Sequence, residues 1–167
     1  MGMTANYQQI TEQELKEFAR CAKSFEDVED LQDDDDLDLC DLDKMWDALH
    51  FLLTGKSASA PIENDPISEA IVGQFLISDE DADEFISGIW SARVKEIAQA
   101  LRDLDFETYL QKFDMDDFSK NDIYPDIWDY EEETEEIKED LESCFEHLKA
   151  FYGRMAERNS AVLVSIY

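Results

Sequence analysis

The clearest hydrophobic pattern lies near the C-terminus, over about residues 131–158. Apolar side chains recur there at steps of three and four positions, which places them along one side of a helix. Glutamates at the start suit the positive end of a helix, and Arg154 and Arg158 suit its negative end. The sequence therefore predicts a long helix with one continuous apolar stripe, formed by Ile137, Leu141, Cys144, Leu148, Phe151 and Met155 and widened by Phe145 and Tyr152.

A nearly unbroken apolar run, Ala161–Ile166, follows this helix. A strand without alternation belongs inside a sheet, where both of its faces are at least partly covered. Weak alternation over residues 3–9 predicts a first strand, and residues 74–77 and 85–90 predict two short strands around the acidic loop 78–84. The pattern thus predicts a small, mainly antiparallel sheet with a buried final strand.

Helical patterns with recognisable end signals occupy most of the remaining chain. Thr11 and Glu14 form a capping box at the start of one helix, with Ile10 and Leu15 placed as a hydrophobic staple. The other predicted helices are one from about Leu42 to Leu53 that ends at Gly55, one that Asp65 caps and Gly73 ends, one capped by Ser91 and one capped by Asp105. Together these elements predict a single α+β domain over residues 1–167, in which several helices cover the sheet.

Charge is the feature of composition that changes this picture. The chain has 43 Asp+Glu against 14 Lys+Arg, a formal net charge of −29 on 167 residues. Such a field repels anionic lipid headgroups and nucleic acids, whose binding rests largely on Lys and Arg at phosphates. It would speed encounters with a basic protein or a cation, and less so as salt rises. Acidity that serves only solubility or a salty cytoplasm stays open as the alternative.

Acids dominate residues 26–43, with the run Asp33–Asp36 at their centre. Adjacent like charges repel, so this stretch is expected to be a mobile loop. Calcium loops that would begin at Asp34 or Asp79 both lack the glycine that the sharp turn of such a loop requires. Weak, non-specific binding of divalent cations stays open.

Three cysteines, Cys21, Cys40 and Cys144, lie far apart and form no CxxC pair, which argues against a disulfide framework and a zinc site. The first residues lack the basic and apolar regions of a signal peptide. No apolar run approaches the roughly 18 residues that span a bilayer. We therefore expect a cytoplasmic, reduced protein with no metal ion and no cofactor.

Residues 43–55 read DKMWDALHFLLTG, and residues 64–73 read NDPISEAIVG. These segments resemble the DK-W-x-x-LHF-x-LTG and NDP-(L/I)-S-x-A-x-x-G segments of the bacterial YfbM-like family. The segment Ile123-Tyr124-Pro125, the long last helix and the final apolar strand are placed similarly, so the resemblance covers nearly the whole chain. It implies a compact α+β domain, and it carries over no catalytic residue.

The first of these segments is the best place to look for chemistry. Trp46 and His50 stand four positions apart, which places them on one face of the predicted helix. One hypothesis makes His50 a general base or ligand in a pocket that Tyr124 and Trp128 complete. The other makes His50 a core histidine that hydrogen-bonds a backbone carbonyl near the end of its helix, with Tyr124 and Trp128 as packing residues. No nucleophile elbow or phosphate loop accompanies them, so no catalytic residue is assigned.

Residues 114–136 interleave aromatic side chains with a dense set of acids. Rings supply anchoring energy and carboxylates supply steering, so this combination suits the binding of a basic partner. The alternative is a loop that packs its aromatics inward and leaves its acids solvated. The candidate partner face consists of Asp116, Asp117, Phe118, Tyr130 and Glu131.

Three hypotheses for the function follow. The first is a non-enzymatic interaction domain that binds a basic protein, for example to neutralise a bacterial toxin. The second is a small-molecule binder or enzyme with a pocket around Trp46, His50 and Tyr124. The third is a domain whose acidity provides only solubility. Neither a nucleic acid nor a membrane is expected as partner, and the sequence does not fix the oligomeric state.

Overall fold

Five antiparallel strands form the sheet of the computed structural model, which describes residues 2–21, 37–79 and 82–167 of the chain. The strands are β1 (Ala5–Ile10), β2 (Leu39–Asp43), β3 (Phe75–Leu76), β4 (Phe85–Ile89) and β5 (Ala161–Ile166). Their order across the sheet is β2-β1-β5-β4-β3, and every neighbouring pair is antiparallel. The final strand therefore lies at the centre, between β1 and β4.

All six residues of β5 are buried, as the unbroken apolar run predicts. Val162 and Val164 belong to the larger hydrophobic core on one face of the sheet, whereas Ala161 and Leu163 belong to a smaller core on the other face. Successive side chains of a strand point to opposite faces, so β5 contributes to both cores at once.

Seven α-helices surround the sheet in the described part of the chain. They are α1 (Glu12–Cys21), α2 (Trp46–Thr54), α3 (Pro66–Val72), α4 (Ser91–Asp103), α5 (Phe106–Gln111), α6 (Met115–Lys120) and α7 (Thr134–Glu157), with a 3₁₀ turn at Glu131–Glu133 before the last. Residues of α2 to α7 share the larger core, and Leu15 and Phe18 of α1 contribute to the smaller one. The predicted α+β fold, with its antiparallel sheet, long C-terminal helix and buried last strand, is confirmed.

Several predicted helix ends are confirmed by hydrogen bonds. The hydroxyl of Thr11 accepts the amide of Glu14 at 3.1 Å. Gly55 ends α2 in the left-handed region, with φ of 76°, and the Asp65 carboxylate accepts the amide of Ile67 at the start of α3. Two other caps differ from prediction. The cap of α4 is Trp90, and Ser91 is the first residue of the helix. The Asp105 carboxylate accepts a hydrogen bond from the Thr108 hydroxyl and none from a backbone amide of α5.

The prediction of a loop throughout residues 26–43 is wrong for its last part. Cys40 and Leu42 point into the core from β2, whereas Leu39, Asp41 and Asp43 are exposed. Leu42 consequently belongs to a strand, and α2 begins only at Trp46. Acids are tolerated in β2 because it is an edge strand whose outer side chains meet solvent, where they also oppose pairing with another chain.

Two predictions concern residues outside the described ranges. They are the mobile loop expected around the acidic run Asp33–Asp36 and the calcium loop considered at Asp34. Residues 80 and 81 of the acidic loop between β3 and β4 also lie outside these ranges.

Candidate functional site

Trp46 and Tyr124, two members of the predicted pocket, lie together at the surface. Their ring centroids are 5.6 Å apart at 33°. The Tyr124 oxygen accepts the amide of Met3 at 2.7 Å, and the Trp46 indole N–H donates to the carbonyl of Met3 at 3.0 Å. The polar atoms of both rings are thus bonded to the N-terminal segment of the same chain.

Asp47 holds the loop that contains Tyr124 against α2. Its buried carboxylate accepts three hydrogen bonds, from the Tyr124 amide at 2.9 Å, the Ala58 amide at 2.7 Å and the Ser57 hydroxyl at 3.0 Å. A buried carboxylate is costly unless such donors surround it. Asp47 therefore joins three segments of the chain behind these two half-buried rings.

His50 is fully buried, and both ring nitrogens have partners. Nδ1 lies 2.7 Å from the carbonyl oxygen of Lys56, just beyond the end of α2, and Nε2 lies 2.8 Å from the Ser68 hydroxyl. A carbonyl can only accept, so Nδ1 carries the proton and Nε2 accepts from Ser68, whose oxygen in turn accepts the Ile62 amide. Burial lowers the pKa of His50 below its ordinary value. This geometry is that of the core-histidine hypothesis.

Trp128 is also in the interior, and its indole N–H donates to the carbonyl of Ile123 at 2.6 Å. The structure thus brings Trp46 and Tyr124 together at the surface and gives His50 and Trp128 separate partners inside. The pocket hypothesis needs a reactive His50 that a ligand can reach, whereas the ring of His50 is enclosed and fully hydrogen-bonded.

Removing the hydroxyl of Tyr124 should release the N-terminal segment. In Tyr124→Phe, hydrogen exchange at the Met3 amide should accelerate about fivefold, because one hydrogen bond worth about 1 kcal/mol is lost. Exchange followed by NMR measures this effect. Tyr109→Phe, at a half-buried ring elsewhere, is the control. Equal Met3 exchange rates in wild type and Tyr124→Phe would show that the hydroxyl does not hold the segment.

Four of the five residues of the predicted partner face are exposed, namely Asp116, Asp117, Tyr130 and Glu131. Phe118 is the exception and requires a correction, since it is only 2% exposed. The unpredicted helix α6 explains the difference, because Asp114 caps it and turns Met115 and Phe118 together into the core. The Phe118 ring packs 4.7 Å from those of Phe51 and Trp128, measured between centroids, so it supports the face from beneath.

The structure also contains an open groove of about 940 Å³ that the sequence did not indicate. It lies between the loop that precedes α3, strand β3 and the first turns of α4, and we refer to it as the α3–α4 groove. Side chains that line it include Glu63, Asn64, Phe75, Trp90, Arg93 and Glu96. Mixed aromatic and polar linings of this kind are common in ligand sites.

Arg93 organises the polar side of the groove. Its Nε donates to the Glu69 carboxylate at 2.8 Å, one terminal nitrogen bonds the same carboxylate, and the other bonds Glu96. The Glu69 side chain is only 9% exposed, whereas that of Glu96 is 61% exposed. The hydrogen bond to Glu69 raises the pKa of the Arg93 guanidinium above its ordinary value. Arg93 therefore neutralises a nearly buried carboxylate.

Phe75 and Trp90 form the aromatic side of the groove, with centroids 4.6 Å apart and planes at 17°. Phe75 can lie there because Gly88 is beneath it, where an added Cβ would come within 2.6 Å of the ring. The Trp90 amide donates to the Gln74 side chain at 3.1 Å, which fixes the start of α4 beside β3. Both residues are half-buried and line the groove, and they also pack against the smaller core.

Within residues 2–21, 37–79 and 82–167, no three His, Cys, Asp or Glu side chains are grouped as a metal ion would require. Over the same ranges, no helix has both the length and the apolar character needed to cross a bilayer.

Comparison with known proteins gives one consistent set of similarities. The family model of a domain of unknown function, DUF1877, matches residues 1–165. Protein YfbM of Escherichia coli (strain K12) is 32% identical over 126 residues, which are 75% of this chain and 75% of that protein. The crystal structure of YfbM from Escherichia coli, described as a protein of unknown function, aligns with a TM-score of 0.81 at 26% identity, over 98% of this chain and 99% of that chain.

Proposed function

Because the chain belongs to the DUF1877 family, whose description assigns no activity, and is YfbM-like as its sequence segments indicate, we propose a function from its surface: it binds a basic partner protein. The binding face is the acidic face, which we define as the exposed side chains of residues 114–142. The observation that supports it most directly is Tyr130, an aromatic ring that is 51% exposed among carboxylates.

The charge of this face is one-sided. Residues 114–142 contain fourteen acidic and two basic side chains. Asp129 and Glu131, which flank Tyr130 in the chain, are both exposed. Within the described part of the chain, the acids from 114 to 133 form no ion pair. Uncompensated charge of one sign steers a partner of the opposite sign and raises the rate of association.

A rigid layer beneath the face supports this proposal. The rings of Phe113, Phe118 and Trp128 contact one another with centroids 4.7 to 6.3 Å apart. Side chains held by such packing lose little conformational freedom when a partner binds. Tyrosine is also among the residues that most often dominate binding energy at interfaces. Tyr130 is thus suited to anchor a partner, and the acids are suited to attract it.

The second hypothesis, a small-molecule or catalytic pocket around Trp46, His50 and Tyr124, has less support. His50 is enclosed, and the polar atoms of the half-buried rings of Trp46 and Tyr124 are bonded to Met3. An accessible pocket there would require the N-terminal segment to leave and α2 to move away from α3.

The proposal can be tested by capturing partners from native lysate on the immobilised chain at low and at moderate salt. We expect a basic protein to be retained stoichiometrically at low salt and released as salt rises. With that protein purified, Tyr130→Ala should weaken binding about tenfold, since an exposed aromatic anchor is worth more than 1 kcal/mol. Glu131→Lys should slow association and reduce its dependence on salt.

Glu17→Lys is the matched control, because it makes the same change in charge on α1, across the sheet from the larger core. It should leave the rates of association and dissociation of the complex nearly unchanged. If no basic protein is retained at low salt, or if Glu17→Lys weakens binding as much as Glu131→Lys, the acidic face is not the binding site.

A further inference from the structure

We propose that the α3–α4 groove binds a small organic cation, namely an alkylammonium or guanidinium group on an apolar skeleton. The groove shares no residue with the acidic face of residues 114–142. This second site therefore goes beyond the proposed function and does not depend on it.

The aromatic side of the groove offers a surface for such a cation. Phe75 and Trp90 are stacked, half-exposed and part of the lining. A cation over the face of an indole or phenyl ring is attracted by the negative charge of the ring face, and tryptophan gives the strongest effect. The apolar skeleton of the ligand would lie along the same rings.

The charges of the groove favour the same ligand class. Among the residues that the structure describes, Glu63, Glu69 and Glu96 line it together with one cation, Arg93. Glu63 and Glu96 are exposed, and Glu96, which bonds Arg93 through one carboxylate oxygen, keeps its other oxygen for a ligand. Since the whole chain is strongly acidic, the wider field has the same sign as these carboxylates and concentrates cations near the groove.

An anionic ligand would need Arg93, and Arg93 is already engaged. It bonds Glu69 through two of its nitrogens, and withdrawing it would leave a nearly buried carboxylate without a partner, which is costly. The positive start of α4 could also attract an anion. There, however, the Ser91 hydroxyl bonds the Glu12 carboxylate and the Trp90 amide bonds Gln74.

Two sources could provide the cation, a free amine or the Lys or Arg side chain of another protein. Two probes distinguish these sources. Agmatine, a free amine with an alkylguanidinium group, stands for the first, and the peptide acetyl-Gly-Arg-Gly-amide stands for the second. Tryptophan side-chain N–H resonances in the NMR spectrum of the intact protein report the site directly. The chain has three tryptophans, and Trp46 and Trp128 lie outside the groove, where they bond Met3 and Ile123.

We expect the Trp90 indole resonance to shift to saturation with at least one of the two cations at constant ionic strength, while those of Trp46 and Trp128 stay in place. Tighter binding of agmatine would assign a free amine, and tighter binding of the peptide would assign a protein side chain. Glu96→Gln should raise the dissociation constant by at least about threefold. Glu107→Gln, at an exposed glutamate on α5 outside both the groove and the acidic face, should leave it unchanged.

Three results would overturn the proposal, provided that the spectrum shows a folded protein. The first is that Trp90 does not shift with either cation, the second is that Glu107→Gln weakens binding as much as Glu96→Gln, and the third is that inorganic phosphate shifts Trp90 to saturation. The second result would mean that cations bind the acidic surface without preference for the groove, and the third would mean that Arg93 is available to anions.

Discussion

The free energy of unfolding should fall by about 3 kcal/mol when Asp47 is replaced by alanine, because three donors lose a charged acceptor in the interior. The donors are the amides of Tyr124 and Ala58 and the hydroxyl of Ser57. In Asp47→Asn we expect the free energy of unfolding to fall by about half as much. The side-chain amide keeps one acceptor oxygen, whereas its NH2 group replaces the oxygen that accepted the remaining hydrogen bonds. Urea unfolding followed by circular dichroism measures both values.

Asp129→Ala is the control for this measurement, because Asp129 is an exposed acid near the same loop. Its effect should be within about 0.5 kcal/mol of zero, as for most exposed sites. Since Asp47 also fixes the Tyr124 loop, Asp47→Ala should accelerate hydrogen exchange at Met3 as well. A loss of less than about 1 kcal/mol would mean that solvent replaces the carboxylate, and that the three segments are held by packing alone.

Features with a local physical cause could be predicted from the sequence. The stripe of α7 follows from helical periodicity, and the burial of β5 follows from an apolar run too short for a long helix. The cap at Thr11 and the stop at Gly55 depend only on neighbouring residues. Each of these signals is complete within one segment of the chain, so no knowledge of tertiary packing is needed.

Strand β2 shows where such reasoning fails. The alternation that buries Cys40 and Leu42 is present in the sequence, but the acids between them favoured a loop. Repulsion between neighbouring carboxylates is weak when they are solvated on the outer side of an edge strand. The contacts of β2 with β1 and α7 determine its structure, and these come from distant parts of the chain.

The candidate sites depended on tertiary structure even more strongly. Tyr124 and Trp46 lie together although 78 positions separate them in the sequence, and the N-terminal segment that bonds both has no signal in the sequence. The α3–α4 groove combines three segments that share no pattern. From the sequence alone Arg93 cannot be distinguished from an ordinary surface cation, because only the fold places it beside Glu69.

His50 connects the end of α2 to the start of α3, and its protonation should couple pH to stability. In the folded state burial lowers its pKa, so the unfolded chain binds a proton more readily in the range between that value and about 6.5. The stabilisation due to the neutral ring is therefore complete above about pH 6.5 and decreases as the pH falls below it. The carboxylates have an opposing influence, because their protonation relieves the repulsion within a chain of net charge −29.

A comparison with a variant separates these two effects. At pH 7.5 we expect His50→Gln to be about 3 kcal/mol less stable than wild type, since it loses the bonds to Lys56 and Ser68 and packs poorly. This difference should shrink between pH 6.5 and 5, by at most about 1.4 kcal/mol per pH unit. Ser143→Ala, at an exposed side chain of α7 that does not titrate in this range, should show no such trend. Urea unfolding at each pH measures the difference, and a constant value from pH 7.5 to 5 would mean that protonation of His50 costs the folded state nothing, contrary to its enclosed, fully bonded geometry.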